Sequence, residues 1–226
     1  MQNGRSPTHL RPPGAAICNN NIIMQNVPEE YRILIDNYHK EDFAVSNKVS
    51  EYNDCFERMN PPDFIEKCKG SFNDKVLSKV SYFYAGLAYE KMDDYDNAVS
   101  CFTKSYELDF KPVESLDKIA RILFKNEQYE DAIKTYKLML MNKCNTYDVW
   151  ANIGISYIHL HKNVEAIAAF KRALELNPEH AVSYYNLGVA LLNNGNLIEA
   201  KIILQKSIEL DPDNDFYQQE YSRIFV

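Results

Sequence analysis

Residues 147–180 read YDVWANIGISYIHLHKNVEAIAAFKRALELNPEH, and residues 181–214 read AVSYYNLGVALLNNGNLIEAKIILQKSIELDPDN. Laid one above the other, the two stretches match at a small residue, Gly154 over Gly188, and at a second, Ala166 over Ala200. Large residues match as well, Trp150 over Tyr184 and Phe170 over Leu204. Asn177-Pro178 and Asp211-Pro212 close both stretches, because proline cannot continue a helix interior but suits a turn or the first turn of the next helix. Each stretch is therefore expected to be a helical hairpin.

The same offset of 34 residues carries back without a gap through 113–146 and 79–112. One small column then holds Gly86, Ala120, Gly154 and Gly188, and the other Ala98, Ala132, Ala166 and Ala200. The large columns hold Tyr82, Leu116, Trp150 and Tyr184; Tyr89, Leu123, Tyr157 and Leu191; and Phe102, Tyr136, Phe170 and Leu204. The packing reason is direct: a small side chain on one helix lets its neighbour approach closely, and the bulky one fills the groove beside it. A fixed internal period of this length means a stacked array, not one globular core. Phe110 and Cys144 stand where the third and fourth units carry proline, so turn geometry is the one feature expected to vary.

Outside 79–212 the pattern weakens. Residues 1–27 hold Pro, Gly, Asn and Ser without helical periodicity and are expected to form a flexible tail. Residues 28–78 are read as N-terminal helices: Leu34, Ile35 and Tyr38, then Phe43, Val45, Val49, Tyr52 and Phe56, predict two successive amphipathic helices, with Pro61 and Pro62 stopping the second. Asp63–Lys69 is a candidate third helix. Phe43, Ser46 and Ser50 loosely echo a second-helix pattern, which suggests a degenerate repeat whose frame is broken by an insertion at 61–73. Residues 215–226, with Tyr221 and Phe225 at helical spacing, are expected to cap and close the stack.

Composition narrows the function. A formal net charge of −7 disfavours a nucleic-acid partner, since a phosphate backbone is met by clustered Lys and Arg. No run of eighteen apolar residues and no signal-peptide pattern is present, so the chain is expected to be cytoplasmic, without direct membrane insertion. Cys18, Cys55, Cys68, Cys101 and Cys144 show neither a C-x-x-C pair nor zinc-ligand spacing and read as reduced structural thiols. His159 and His161 are two residues apart near a helix end, where they face different ways and do not share a metal. No phosphate loop, nucleophile elbow or H-E-x-x-H pattern occurs, so no catalytic residue, metal or cofactor is expected.

A first helix with Trp150, Ile153, Gly154 and Tyr157, followed by a second with Ala166, Phe170 and Ala173 and then Pro178, resembles a tetratricopeptide repeat. The resemblance covers four tandem units, 79–112, 113–146, 147–180 and 181–214. It implies an all-α, right-handed superhelical solenoid of antiparallel helix pairs with a C-terminal capping helix, the first helix of each pair lining the concave face. The implied inward positions are Val80, Phe83, Tyr84 and Leu87; Glu114, Asp117, Lys118 and Arg121; Asp148, Ala151, Asn152 and Ile155; and Val182, Tyr185, Asn186 and Val189.

Asn152 and Asn186 share a column, and an inward carboxamide offers both a donor and an acceptor to the backbone of an extended peptide. Phe83, Tyr84, Leu87, Ile155, Tyr185 and Val189 are candidate apolar anchors, although Phe83 and Tyr84 could instead pack on the N-terminal helices. The two-carboxylate clamp known in the family is missing, and only Lys118 with Arg121 could hold a carboxylate. The expected function is a non-catalytic adaptor that binds a protein or peptide partner in the groove, within a multiprotein complex. The alternative is a secretion-type chaperone that shields an apolar segment of an exported client.

Overall fold

The computed structural model describes residues 29–225, so the expected tail at 1–27 and Cys18 lie outside the described residues. By its internal contacts the chain divides after Ser46. Helix α1 (Glu29–Arg58) runs through that division as one helix of 30 residues, where the apolar pattern had suggested two. No proline or glycine lies between Glu29 and Arg58, so the polar stretch Asn37–Asp42 simply continues the helix.

From Asn47 onward the fold is a row of antiparallel helix pairs. After α2 (Pro61–Lys69) come α3 (Ser78–Lys91) with α4 (Tyr95–Glu107), and α5 (Pro112–Lys125) with α6 (Tyr129–Met141). Next are α7 (Tyr147–His159) with α8 (Asn163–Leu176), α9 (Ala181–Asn193) with α10 (Leu197–Leu210), and finally α11 (Asp215–Phe225). Each helix packs on its partner and on the next pair, the arrangement of a solenoid. Connections of three to five residues from α3 to α11 hold consecutive helices antiparallel.

Within each pair one contact sets the spacing. A Cβ placed on Gly86 would lie 2.8 Å from the Phe102 ring, and one on Gly154 would lie 2.7 Å from the Phe170 ring; the gap between Gly188 and Leu204 is tighter still. Phe102 and Phe170 are fully buried, as are Ala98, Ala166 and Ala200.

The frame also continues upstream. Pro61 starts α2 34 residues before Tyr95 starts α4, which places Tyr52 in the column of Gly86 and Cys68 in the column of Phe102. The large residue has moved to the first helix and the small one to the second. Tyr52 and Cys68 are both wholly buried, the Tyr52 hydroxyl lies 3.1 Å from Ser81 Oγ, and the Tyr52 ring packs edge-on against Phe64 and Tyr84. α2 thus starts on the 34-residue period, with the sizes in the two columns exchanged. Pro61 and Pro62 sit at the start of α2, capped by Asn60, whose side chain accepts from the Asp63 N–H at 3.0 Å.

Helix ends explain the missing prolines. Every first helix from α3 on stops at a left-handed residue, Asp93, Glu127, His161 or Gly195, spaced by 34, and the following N–H bonds back to Tyr89, Leu123, Tyr157 or Leu191. This is a Schellman ending. The second helices α4 and α6 end the same way, at Asp109 and Lys143, whereas α8 and α10 end at Asn177 and Asp211, both with negative φ, before Pro178 and Pro212. Phe110 and Cys144 therefore replace proline in turns of another type.

Two outcomes follow for stability. Ala166→Leu overpacks the α7–α8 contact and should cost about 1–3 kcal/mol, and Phe170→Ala should cost about 3–5 kcal/mol, both read from denaturant melts. Glu127→Gly relieves a left-handed glutamate and should raise stability by about 1 kcal/mol; a lower midpoint would contradict the helix ending described.

Candidate functional site

The first helices α5 and α7 bring a set of polar and aromatic side chains together along the concave face. A cleft of about 630 Å³ is lined by Asp117, Arg121 and Phe124 from α5, by Asp148, Asn152 and Ile155 from α7, and by Tyr136 from α6. A second concavity of about 410 Å³ shares Asp117, Asp148 and Asn152 with it and extends past Glu114 and Lys118 towards Phe83 and Cys144. The two form one continuous groove. It exists because the close contact of each pair turns the opposite flank of the first helix outward.

Of the residues singled out in the sequence, Asn152, Ile155, Lys118 and Arg121 lie together in this groove. The Asn152 carboxamide makes no hydrogen bond among the described residues; the contact it does make is through its main-chain oxygen, which accepts from Ser156 Oγ at 2.8 Å. Lys118 is not free to hold a partner's carboxylate: its Nζ lies 2.7 Å from the Glu90 carboxylate, which is itself only partly exposed. Arg121 reaches Asp117 loosely, at 3.8 Å, and is otherwise in solvent.

Several other candidates lie elsewhere. Tyr84 is buried, donating to Asn53 Oδ1 at 2.6 Å and packing on Tyr52, and Phe83 is buried among Tyr84, Phe102 and Phe110. Tyr84 is taken up by the segment before α3, whereas Phe83 packs on α4 and the turn after it while its edge lines the second concavity. Leu87 is half-buried and lies outside both concavities. In the last pair Tyr185 is stacked on Tyr217 at 5.1 Å and touches Phe216, so α11 covers it; burial, then the Glu220 charge, push its hydroxyl pKa up. Asn186 and Val189 are half-buried beside it, away from the α5–α7 groove. Ala151 is buried in the core instead of facing the groove.

Sequence reading missed Phe124 and Tyr136. Tyr136 had been assigned to the buried large column, and it is buried, yet its edge lines the cleft. Phe124 stands seven residues after Asp117, two turns along the same helix face, which was the signal available. The remaining polar groups are structural. His159 stacks on Tyr129 at 4.5 Å, and Cys68 and Cys101 are free thiols whose pKa values burial pushes up to about 12 and about 11. Among the described residues no cluster of His, Cys, Asp and Glu is placed to hold a metal, and no helix is long and apolar enough to cross a membrane.

Three stretches of the chain, 80–112, 147–180 and 169–202, match family models described as tetratricopeptide repeat. The Superkiller complex protein 3 of Mus musculus is 33% identical over 91 residues, which is 40% of this chain and 6% of that protein, so the chain spans only a small part of the relative's length. YrrB, a TPR protein with an unusual peptide-binding site, superimposes with a TM-score of 0.67 at 19% identity, over 86% of this chain and 98% of its own. MamA from Desulfovibrio magneticus RS-1 gives a TM-score of 0.63 at 20% identity, over 76% and 99%. A solenoid of helix pairs with a groove along its first helices is a repeat-built architecture, and the matched stretches of this chain are tetratricopeptide repeats.

Asp117 supplies a pH test. Burial first, with Glu90 and Asp148 adding, raises its pKa above the ordinary carboxylate value against the pull of Arg121 and Lys118. A carboxylate whose folded pKa is raised costs stability above that pKa and nothing below the unfolded value, near 3.9. Asp117→Asn should therefore raise the melting temperature at pH 7, with the gain shrinking as pH falls through the carboxylate range. An equal gain at pH 3.5 and pH 7 would contradict this.

Proposed function

We propose that the chain is a non-catalytic scaffold that holds an extended segment of a partner protein in the α5–α7 groove, as one component of a multiprotein complex in the cytoplasm. The observation that carries this reading is the groove itself, in which the Asn152 carboxamide and the Asp148 carboxylate have no hydrogen-bond or ion-pair partner among the described residues. Ligand sites are concave and partly apolar, with a few convergent polar groups, and this groove has that character in Phe124, Tyr136 and Ile155 beside Asn152 and the carboxylates. Asn152 is placed to bond a partner's main chain, each such bond contributing about 0.5–1.5 kcal/mol. In this reading 79–212 comprises four repeats, the pair 47–69 is a degenerate repeat before them, and α11 caps the last. The capped fourth pair contributes less to binding than its sequence column implies, because Tyr185 is already engaged.

The test is affinity capture with the tagged chain from its native extract, beside an Asn152→Ala, Ile155→Ala variant of unchanged melting temperature. A protein partner depleted about tenfold in the variant is the expected result, as two lost contacts of this kind would give. A partner captured equally by both would place binding on another face and overturn the reading.

A further inference from the structure

The groove has a charge pattern that restricts what it can hold. Four carboxylates, Glu90, Glu114, Asp117 and Asp148, face or flank it, with two cations, Lys118 and Arg121. Lys118 is committed to Glu90 at 2.7 Å, and Arg121 stands 3.8 Å from Asp117 with most of its side chain in water. Among the described residues Asp148 and Glu114 have no ion pair. Asp148 raises the pKa of Asp117 by its charge, so the two carboxylates sense each other across the cleft. The acidic excess is thus concentrated where α5 and α7 face each other.

The apolar groups are set apart from it. Phe124 follows Asp117 by seven residues on α5, and Ile155 follows Asp148 by seven on α7, with Tyr136 beneath. Seven residues of helix rise about 10 Å. Both walls therefore pass from acidic to apolar in the same direction over the same distance, which an extended chain covers in about three residues.

Resting on the groove being the binding site, we infer that its occupant is a cationic segment of a partner protein: an extended stretch with a Lys or Arg between Asp117 and Asp148 and, about three residues along, an aromatic or aliphatic side chain against Phe124, Tyr136 and Ile155. An arginine satisfies two facing carboxylates with its several donors, and the cation replaces the like-charge repulsion between them. An acidic tail meets the opposite potential and is rejected.

The test pans a displayed library of random nonapeptides against the full-length chain and measures the selected peptides by fluorescence anisotropy on the parent, Asp148→Asn, Asp148→Lys and Asn152→Ala. Asp148 is exposed, so its variants keep the fold, which a thermal melt checks. The expected result is enrichment of peptides with Lys or Arg about three residues from an aromatic or aliphatic residue. Their affinity should fall about tenfold in Asp148→Asn and further in Asp148→Lys, and should weaken as salt rises. Peptides that lose affinity in Asn152→Ala but are indifferent to both Asp148 variants would overturn the charge inference and leave the groove standing. Peptides insensitive to every variant, or no enrichment at all, would overturn both.

Discussion

The contact between a small residue on the first helix of each pair and a large one sixteen positions later on the second determines the spacing of the whole stack. Gly86 against Phe102, Ala120 with Tyr136, Gly154 against Phe170 and Gly188 against Leu204 are the four versions of it. With no Cβ, or only a methyl, on one side, the ring or branched side chain lies directly on the helix backbone. The two helices cannot separate without leaving a void beside a buried aromatic group. That closeness fixes which flank of α5 and α7 turns outward, so the groove is a by-product of packing on the other side of the same helices.

Much of this was legible because the 34-residue period repeats a physical requirement and each requirement tolerates few residue types. The turn geometry was less so. Asp93, Glu127 and His161 adopt the left-handed conformation that glycine adopts at Gly195; the hydrogen-bonded helix ending imposes it, on glutamate as well as on the more tolerant aspartate and histidine. The N-terminal pair was hidden for another reason. A search by column looks for small under small, and Tyr52 with Cys68 inverts the sizes.

The candidate site was legible in part. Of the inward columns on α5 and α7, Glu114, Asp117, Lys118, Arg121, Asp148, Asn152 and Ile155 line the groove, whereas Ala151 is buried in the core. On α3 Tyr84 is covered by the preceding segment, and on α9 Tyr185 is covered by Phe216 and Tyr217 from α11. A column assigns a direction to a side chain, but it does not say what already occupies the space ahead of it.

The groove draws its two walls from different pairs, α5 from one and α7 from the next, and each pair leans only on its neighbours along the row. In such a quasi-linear array the elementary fluctuation is the parting of two adjacent units with both left folded. A segment lying across both walls would act as a staple, binding the closed junction and not the parted one. Occupancy would then slow amide exchange at the α6–α7 seam more than anywhere else, a protection pattern that reports a bound partner without any change of shape.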